Sequence, residues 1–373
     1  MIKIAIVSNT SWSLFNFRFQ LAKEIRKAAY EVVLVAPYDE YSDRLSVEFE
    51  YHDIYISNKG TNPKEDIKTT IEFYKLYKKI KPDIVLHYTI KPNVYGTVAC
   101  DFLGIKTINN IAGLGTLFIK QNFITKIAKY LYRYSQAKAT KVFFQNKDDY
   151  KMFIDEKLVE ASKSDILPGS GVDTKKFSPK YKKRGDIFIF LFIARMLWDK
   201  GVGEYVEAAK IIKSKYKNVE FHMLGFLDVQ NKSAVSKEQM QKWVDEGYIK
   251  YLGISDNVKY EIEKADCIVL PSFYREGTPR VLLESASMAK PIITTNNVGC
   301  KDVVNHGENG YICKIKDPQD LADKMEMKLN LPEKDRGKMG EKGRQKMLNE
   351  FCESIVINKY LIAISDILNE DIK

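Results

Sequence analysis

Seven consecutive apolar residues, Ile187-Phe188-Ile189-Phe190-Leu191-Phe192-Ile193, constrain this chain more than any other segment. The run has the length of a strand and no polar alternation, so it suits a parallel sheet covered on both faces. Similar runs at Ile2 to Val7, Glu31 to Val35, Ile84 to His87, Lys106 to Asn109 and Lys141 to Phe144 alternate with helical stretches at Phe17 to Lys27, Asp66 to Lys81 and Val94 to Phe102. That is the βαβ rhythm of an α/β fold. A second series passes through Phe188, Val219, Tyr251, Cys267, Ile292 and Tyr311. A chain of 373 residues exceeds the usual single core. The turn-rich stretch Pro168-Gly169-Ser170-Gly171-Val172-Asp173, with Lys175 to Lys180 after it, marks the boundary. The expected organisation is two Rossmann-like domains, residues 1–180 and 181–352, and a final helical segment, 353–373, that crosses back onto the first.

The first strand-to-helix turn, Ser8 to Ser13, has no glycine, and none occurs before Gly60. A dinucleotide-binding dehydrogenase thereby loses its Gly-rich fingerprint. Asn9 and Thr10 are left as candidates to face an acceptor, with loop capping an equal explanation. No stretch approaches the ~20 apolar residues that span a bilayer, and the N-terminus runs straight into a strand, so a cytoplasmic protein is expected. Five cysteines without a CxxC pair read as reduced thiols and not as metal ligands.

Ligands of open α/β sheets bind beyond the carboxyl ends of the strands. After the Ile187–Ile193 run come Arg195 and Lys200, a planar fork and a point charge suited to a diphosphate leaving group. In Arg275-Glu276-Gly277-Thr278-Pro279-Arg280-Val281-Leu282-Leu283-Glu284, Thr278 is a plausible N-cap and Pro279 a first helical residue. A helix starting there offers unpaired N–H groups to an anion, and Gly277 lets a ligand approach the backbone. Glu276, outside the helix, and Glu284, about a turn and a half inside it, would then accept hydroxyls on either side of that anion. Sugar, diphosphate and ribose fall in a line.

In the first half, Val85 to Asn93 ends another strand at the same edge. Lys91, Asn93 and His87 are candidates there, His87 with a buried core histidine as its alternative. From Phe102 to Lys147 no acidic residue occurs, while eight basic residues do, among them Lys120, Lys126, Lys129 and Arg133. Residues 1–180 hold 28 basic and 20 acidic groups, most of the chain's net charge of +10. Ile124, Ile127, Leu131 and Tyr134 recur at helical spacing opposite Lys126, Lys129 and Arg133. Anionic lipid, a diphosphate-bearing acceptor or nucleic acid could match this surface. An amphipathic helix interleaved with aromatics favours an anionic membrane surface, and no nucleic-acid-binding pattern appears.

These residues resemble the retaining GT-B glycosyltransferases of family 4, through the E-x7-E element and the Arg/Lys pair. Phe17-Arg18, Lys91-Pro92-Asn93, Gly113-Leu114-Gly115 and Ile193 to Val202 look like the bacterial enzymes that extend undecaprenyl-diphosphate-linked saccharides, N-acetylgalactosaminyltransferases among them. Capsule and O-antigen transferases share much of the pattern. The resemblance implies domains facing across a cleft, a UDP-sugar as donor and no cofactor. It assigns the diphosphate to Arg195 and Lys200, the ribose to Glu284 and the transferred sugar to Glu276. Gly277, Thr278 and Pro279 give backbone contacts to phosphate and sugar, and the base lies near Gly253. It further implies Lys91 near the chemistry, a polyprenyl-diphosphate acceptor near Gly113 and Gly115, and action at the inner face of the cell membrane. The family often has glycine in the first turn, and this chain does not. No D-x-D sequence occurs, so a metal-held nucleotide diphosphate is not expected. A nucleotide-sugar epimerase or hydrolase of similar architecture is the competing reading.

Overall fold

The computed structural model describes residues 1–57, 62–115, 123–180, 185–227 and 231–370. It divides into two units, Met1–Ser170 with Val356–Lys373, and Gly171–Ile355. In the first, β1 (Lys3–Val7), β2 (Glu31–Ala36), β3 (Glu50–Asp53), β4 (Ile84–Tyr88), β5 (Lys106–Ile111), β6 (Lys141–Phe144) and β7 (Ser164–Ile166) form one sheet in the order 3-2-1-4-5-6-7. In the second, β8 (Phe188–Ile193), β9 (Val219–Leu224), β10 (Lys250–Tyr251), β11 (Cys267–Leu270), β12 (Ile292–Thr295) and β13 (Gly310–Cys313) run 10-9-8-11-12-13. The pairings within both sheets are parallel, as the uninterrupted apolar runs require. Strand order reverses between β1 and β4 and again between β8 and β11. At such points the loops on either side diverge and leave room for a ligand.

Side-chain alternation covers both faces of each sheet. In β1, Ile4 and Ile6 enter one core and Ala5 and Val7 the other. The last helix, Glu353–Glu370, places Val356, Ile357, Tyr360, Ala363, Ile364 and Ile367 in the core that holds Ile4 and Ile6. Their spacing is that of one helical face. Asn110 Nδ2 donates to Tyr360 Oη at 2.8 Å and Lys359 Nζ to Asp165 Oδ2 at 2.9 Å, fastening that helix to the first unit.

Several sequence expectations need correction. The units divide at Ser170/Gly171 instead of 180/181, because Val172 N donates to Phe351 O at 2.9 Å and Phe177 packs in the second core. The stretch from Phe17 to Lys27 is broken at Arg18, between helices Ser11–Phe17 and Phe19–Lys27. Pro92 begins a π-helical turn, Pro92–Gly96, before the helix Thr97–Leu103. A proline lacks the N–H that a regular helix would use there.

Candidate active site

Within the second unit, β8 and β11 send their following loops to the same place. Phe273 N and Tyr274 N donate to Asp199 O at 3.0 and 2.9 Å, which ties the two loops together. Gly201 sits at φ +81°, and a Cβ there would come within 2.2 Å of Pro271 O. Only glycine allows that approach. The loops thereby bring Arg195, Lys200 and Glu276 together at the reversal point of the second sheet.

Lys200 and Glu276 form an ion pair, with side chains only 12% and 13% exposed. Ser272 Oγ also lies 3.2 Å from Glu276 Oε1. Tyr274 joins the group: Lys200 Nζ lies 4.7 Å from its ring centre, and the charge of Arg195 is close enough to act on its phenol. Burial raises the Tyr274 phenol, so it stays protonated at neutral pH. Asn297 Nδ2 donates to Tyr274 O at 2.7 Å. Gly299, at φ +78°, leaves no room for a Cβ, which would meet Gly277 O at 1.8 Å. Backbone from two loops therefore fixes the Glu276–Gly277 segment, and movement there would be felt at the carboxylate.

The helix after this segment is Arg280–Ser287. Pro279 occupies the N-cap with an extended ψ of 116°, and no side chain caps the helix. That corrects the assignment of Thr278 as N-cap and Pro279 as first helical residue. Thr278 is buried, and Gly277 and Pro279 are buried beside it. Glu284 is the fifth residue of the helix, and Arg280 Nε donates to its Oε1 at 2.8 Å. Burial raises the Glu284 carboxyl, opposed by Arg280 and Lys176. Gly253 is farther along the edge, at φ +73° with open space where a Cβ would be. Its carbonyl accepts from Gly225 N at 2.8 Å, and exposed Leu252 and Ile254 flank it.

In the first unit the candidates separate. Thr10 caps the helix Ser11–Phe17, accepting from Ser13 N at 3.2 Å. His87 is fully buried, with Tyr77 Oη 2.9 Å from Nε2 and Asn109 Oδ1 3.0 Å from Nδ1. Burial lowers its pKa to about 3. Asn93 is also buried, donating to Asn110 O at 2.7 Å and accepting from Asn110 N at 3.2 Å. Both side chains are committed to a polar network inside the fold, which removes them as candidates to touch an acceptor and leaves His87 as the buried core histidine. Lys91 instead pairs with Asp66 at 2.6 Å, and both line a cavity of about 680 Å³ with Asn9, Thr89, Ile90, Ile124, Ile127 and Leu131. Gly113 and Gly115 take φ values of +97° and +57° in the loop after β5.

The helix Phe123–Lys138 buries Thr125, Tyr132, Ser135 and Gln136, while Ile124, Ile127, Tyr130 and Tyr134 are exposed. Of its apolar stripe, Ile124, Ile127 and Tyr134 are exposed and Leu131 is half-buried, with Ile124, Ile127 and Leu131 bordering the cavity. Lys129 pairs with Glu156 at 2.8 Å, and Arg133 donates to the carbonyls of Glu156 and Lys157. Lys126 is exposed on the same helix. Lys120 lies outside the described residues.

Sequence reasoning missed Tyr274, Asn297 and Asp66. Tyr274 stands two residues before Glu276, close enough to have been noticed. Asn297 and Asp66 are distant in sequence from what they hold and carry no local signal.

The family profile described as "Glycosyl transferase 4-like" matches residues 3–146, and that described as "Glycosyl transferases group 1" matches 173–346. The chain is 27% identical to the N,N'-diacetylbacillosaminyl-diphospho-undecaprenol alpha-1,3-N-acetylgalactosaminyltransferase of Campylobacter jejuni, over 96% of this chain and 97% of that one. It is 26% identical to the UDP-Gal:alpha-D-GlcNAc-diphosphoundecaprenol alpha-1,3-galactosyltransferase of Escherichia coli, over 68% of each chain. Its fold is similar to the crystal structure of a glycosyltransferase from Rickettsia africae, with a TM-score of 0.80, 19% identity and 98% of each chain covered.

Proposed function

We propose a donor, an acceptor and a place of action for this chain, which belongs to the GT-B glycosyltransferases, with a glycosyl transferase 4-like unit followed by a group 1 unit. It transfers a hexosyl group, N-acetylgalactosamine in our reading, from a UDP-sugar to a saccharide carried on a polyprenyl diphosphate. The observation that carries this reading is the joining of Arg195, Lys200 and Glu276 at the reversal point of the second sheet. Sugar and acceptor follow the names of the Campylobacter jejuni and Escherichia coli relatives.

In the reaction, the bond between the anomeric carbon and the β-phosphate oxygen breaks, and its electron pair leaves with UDP. Arg195 and Lys200 stabilise that growing charge, assisted by the start of the helix Arg280–Ser287. An acceptor hydroxyl attacks the anomeric carbon from the same face, and its proton passes to the departing phosphate oxygen. Configuration is retained, and no metal is required. Glu276 exchanges its partner Lys200 for hydroxyls of the transferred sugar, which frees the ammonium for phosphate. Gly277, Thr278 and Pro279 supply backbone to phosphate and sugar. Glu284 accepts the ribose hydroxyls, and the base lies beside Gly253.

The acceptor belongs to the first unit, where Lys91 and Asn9 line the apolar cavity and Gly113 and Gly115 shape the loop after β5. The outward stripe of Ile124, Ile127, Tyr130 and Tyr134 lies in the headgroup region of an anionic membrane, with Lys126 among the phosphates. Arg133 adds positive potential while donating to the carbonyls of residues 156 and 157, whereas the charge of Lys129 is offset by Glu156. The membrane face is the cytoplasmic one, where nucleotide sugars are available.

The test incubates the purified chain with several UDP-sugars, with and without short-chain prenyl-diphosphate saccharides. UDP release that depends on acceptor supports the reading. Release without acceptor indicates a hydrolase, and a changed sugar on intact donor indicates an epimerase. Turnover with another donor moves the chain toward capsule or O-antigen assembly.

A further inference from the structure

Arg280 and Glu284 stand one turn apart on the helix Arg280–Ser287, with side chains 17% and 14% exposed. As a device for holding that helix, the pair is built backwards. Arg280 is the first helical residue, where the macrodipole disfavours a cation, and Glu284 lies toward the other end, where it disfavours an anion. In an i,i+4 pair the stabilising order places the carboxylate first. Taking both charges largely out of water adds a further cost. The pair therefore serves something other than the helix.

The hydrogen bonding of Glu284 is one-sided. Arg280 Nε donates to Oε1 at 2.8 Å, and among the described residues no other group donates to this carboxylate. That leaves Oε2 unclaimed on a side chain that still reaches solvent, and a carboxylate oxygen can accept two hydrogen bonds. The charges that reach this carboxyl come from Arg280 on its own helix and Lys176 on the segment before β8, and both oppose the rise that burial causes. Arg344, on the neighbouring helix Glu333–Glu350, is taken up by Ser287 and by the carbonyls of Thr174 and Phe177. Strands β11 and β12, which also pack against the helix, carry no charged side chain, and burial pushes the Cys267 thiol up to about 12. Of these groups, Arg280 alone hydrogen-bonds Glu284.

We propose that Arg280 is a positioning residue for the donor nucleotide: it fixes the Glu284 carboxylate through Oε1 and so presents Oε2 to the ribose hydroxyls. This rests on the ribose reading of Glu284 above and adds the residue that makes Glu284 fit for that task. Ribose hydroxyls need acceptors, and a protonated carboxyl offers fewer. With Arg280 in place the carboxylate stays ionised to lower pH; without it, burial is opposed by Lys176 alone. Arg280 acts through Glu284 and need not touch the ligand.

The full chain is titrated calorimetrically with UDP and with 2′,3′-dideoxyuridine diphosphate over a range of pH. Both nucleotides carry the same diphosphate, so phosphate ionisation cancels in the ratio of their Kd values and the ribose contacts remain. In the wild type UDP should bind about 10–100-fold tighter than the dideoxy compound. R280M should weaken UDP about tenfold and leave the dideoxy compound unchanged. The remaining preference should fade on the acid side, by up to about tenfold per pH unit, from a higher pH than in the wild type. R280K keeps the charge without the planar fork and should restore the pH profile. R280Q guards against misfolding, since it keeps an N–H donor to Glu284 and removes only the charge; it should shift the profile as R280M does. The proposal is overturned if R280M and R280Q keep the wild-type preference and profile, or if they weaken both nucleotides equally, as loss of a merely structural contact would. A wild type that binds both nucleotides alike overturns the ribose reading of Glu284 itself.

Discussion

Replacing Glu276 with Gln separates the two roles combined in the Lys200–Glu276 pair. Both side chains are mostly shielded from solvent, so the pair lies between two limits. Removing one partner of a deeply buried pair costs about 3–5 kcal/mol, and an exposed pair contributes about 0–1 kcal/mol. Glu276→Gln keeps the shape and a hydrogen-bond acceptor, so a loss of about 1–3 kcal/mol is expected, with a fall in Tm of about 2–10 °C. UDP binding should move the other way. Without its carboxylate partner, Lys200 is free to meet phosphate, and the Kd for UDP should stay level or tighten. Turnover should fall by about 100- to 1,000-fold, the scale of losing one preorganised electrostatic contact in a transition state. Lys200→Met is the complement and should weaken UDP about 10–100-fold. Calorimetric titration of UDP into both variants, with acceptor-dependent turnover measured alongside, checks the set. If Glu276→Gln loses UDP as badly as Lys200→Met, or keeps full turnover, the division of labour is wrong.

Other outcomes follow from the same geometry. Glu284→Ala should weaken UDP about tenfold or more with a smaller effect on kcat once donor is saturating, measured by initial rates. Because burial raises the Glu284 carboxyl, the native state keeps its proton longer than the unfolded chain does; stability should therefore decline as pH rises from 4.5 through that raised value. Urea unfolding should show that decline reduced in Glu284→Gln. His87 has the opposite sign, since a pKa lowered from 6.5 to about 3 leaves the native state with fewer protons. Its stabilisation is complete above 6.5 and is lost toward about 3, at up to about 1.4 kcal/mol per pH unit. His87→Asn should flatten that slope in acid denaturation. Gly299→Ala should disable transfer through Gly277, whereas Gly253→Ala meets no atom and should cost about 1–2 kcal/mol of backbone strain alone. Ile127→Asp should reduce sedimentation with anionic vesicles, and high salt should reduce it in the wild type; binding unaffected by both would remove the membrane proposal.

The parts of the fold most legible in the sequence were those fixed by burial. Ile187 to Ile193 is apolar throughout because β8 lies inside the sheet with both faces covered, and β8 occupies 188–193 of it. Strand β3, Glu50–Asp53, and strand β7, Ser164–Ile166, are edge strands with mostly polar residues, so no hydrophobic run announced them. Spacing alone singled out Glu276 and Glu284, which the structure places in the loop after β11 and in the helix Arg280–Ser287. What escaped was tertiary: Lys200 pairing with Glu276, Tyr274 near both cations, and Asn297 bonded to Tyr274. His87 looked available because it ends an apolar run at a strand's carboxyl edge. Only the structure reveals that Tyr77 and Asn109 enclose it. The helix Phe123–Lys138 departs from the usual rule that an apolar stripe faces the core. Here Tyr132, Ser135 and Gln136 face inward, with Gln136 joining the polar network around Asn109, and the isoleucines are left outside.

The most direct measurement is the product itself. A saccharide on a short-chain prenyl diphosphate, incubated with the chain and an α-linked UDP-sugar, should gain the mass of one sugar residue for each UDP released. Its new anomeric proton should report an α linkage in NMR. Free sugar in place of an extended acceptor, or a β linkage, would contradict the retaining transfer assigned to Arg195, Lys200 and Glu276.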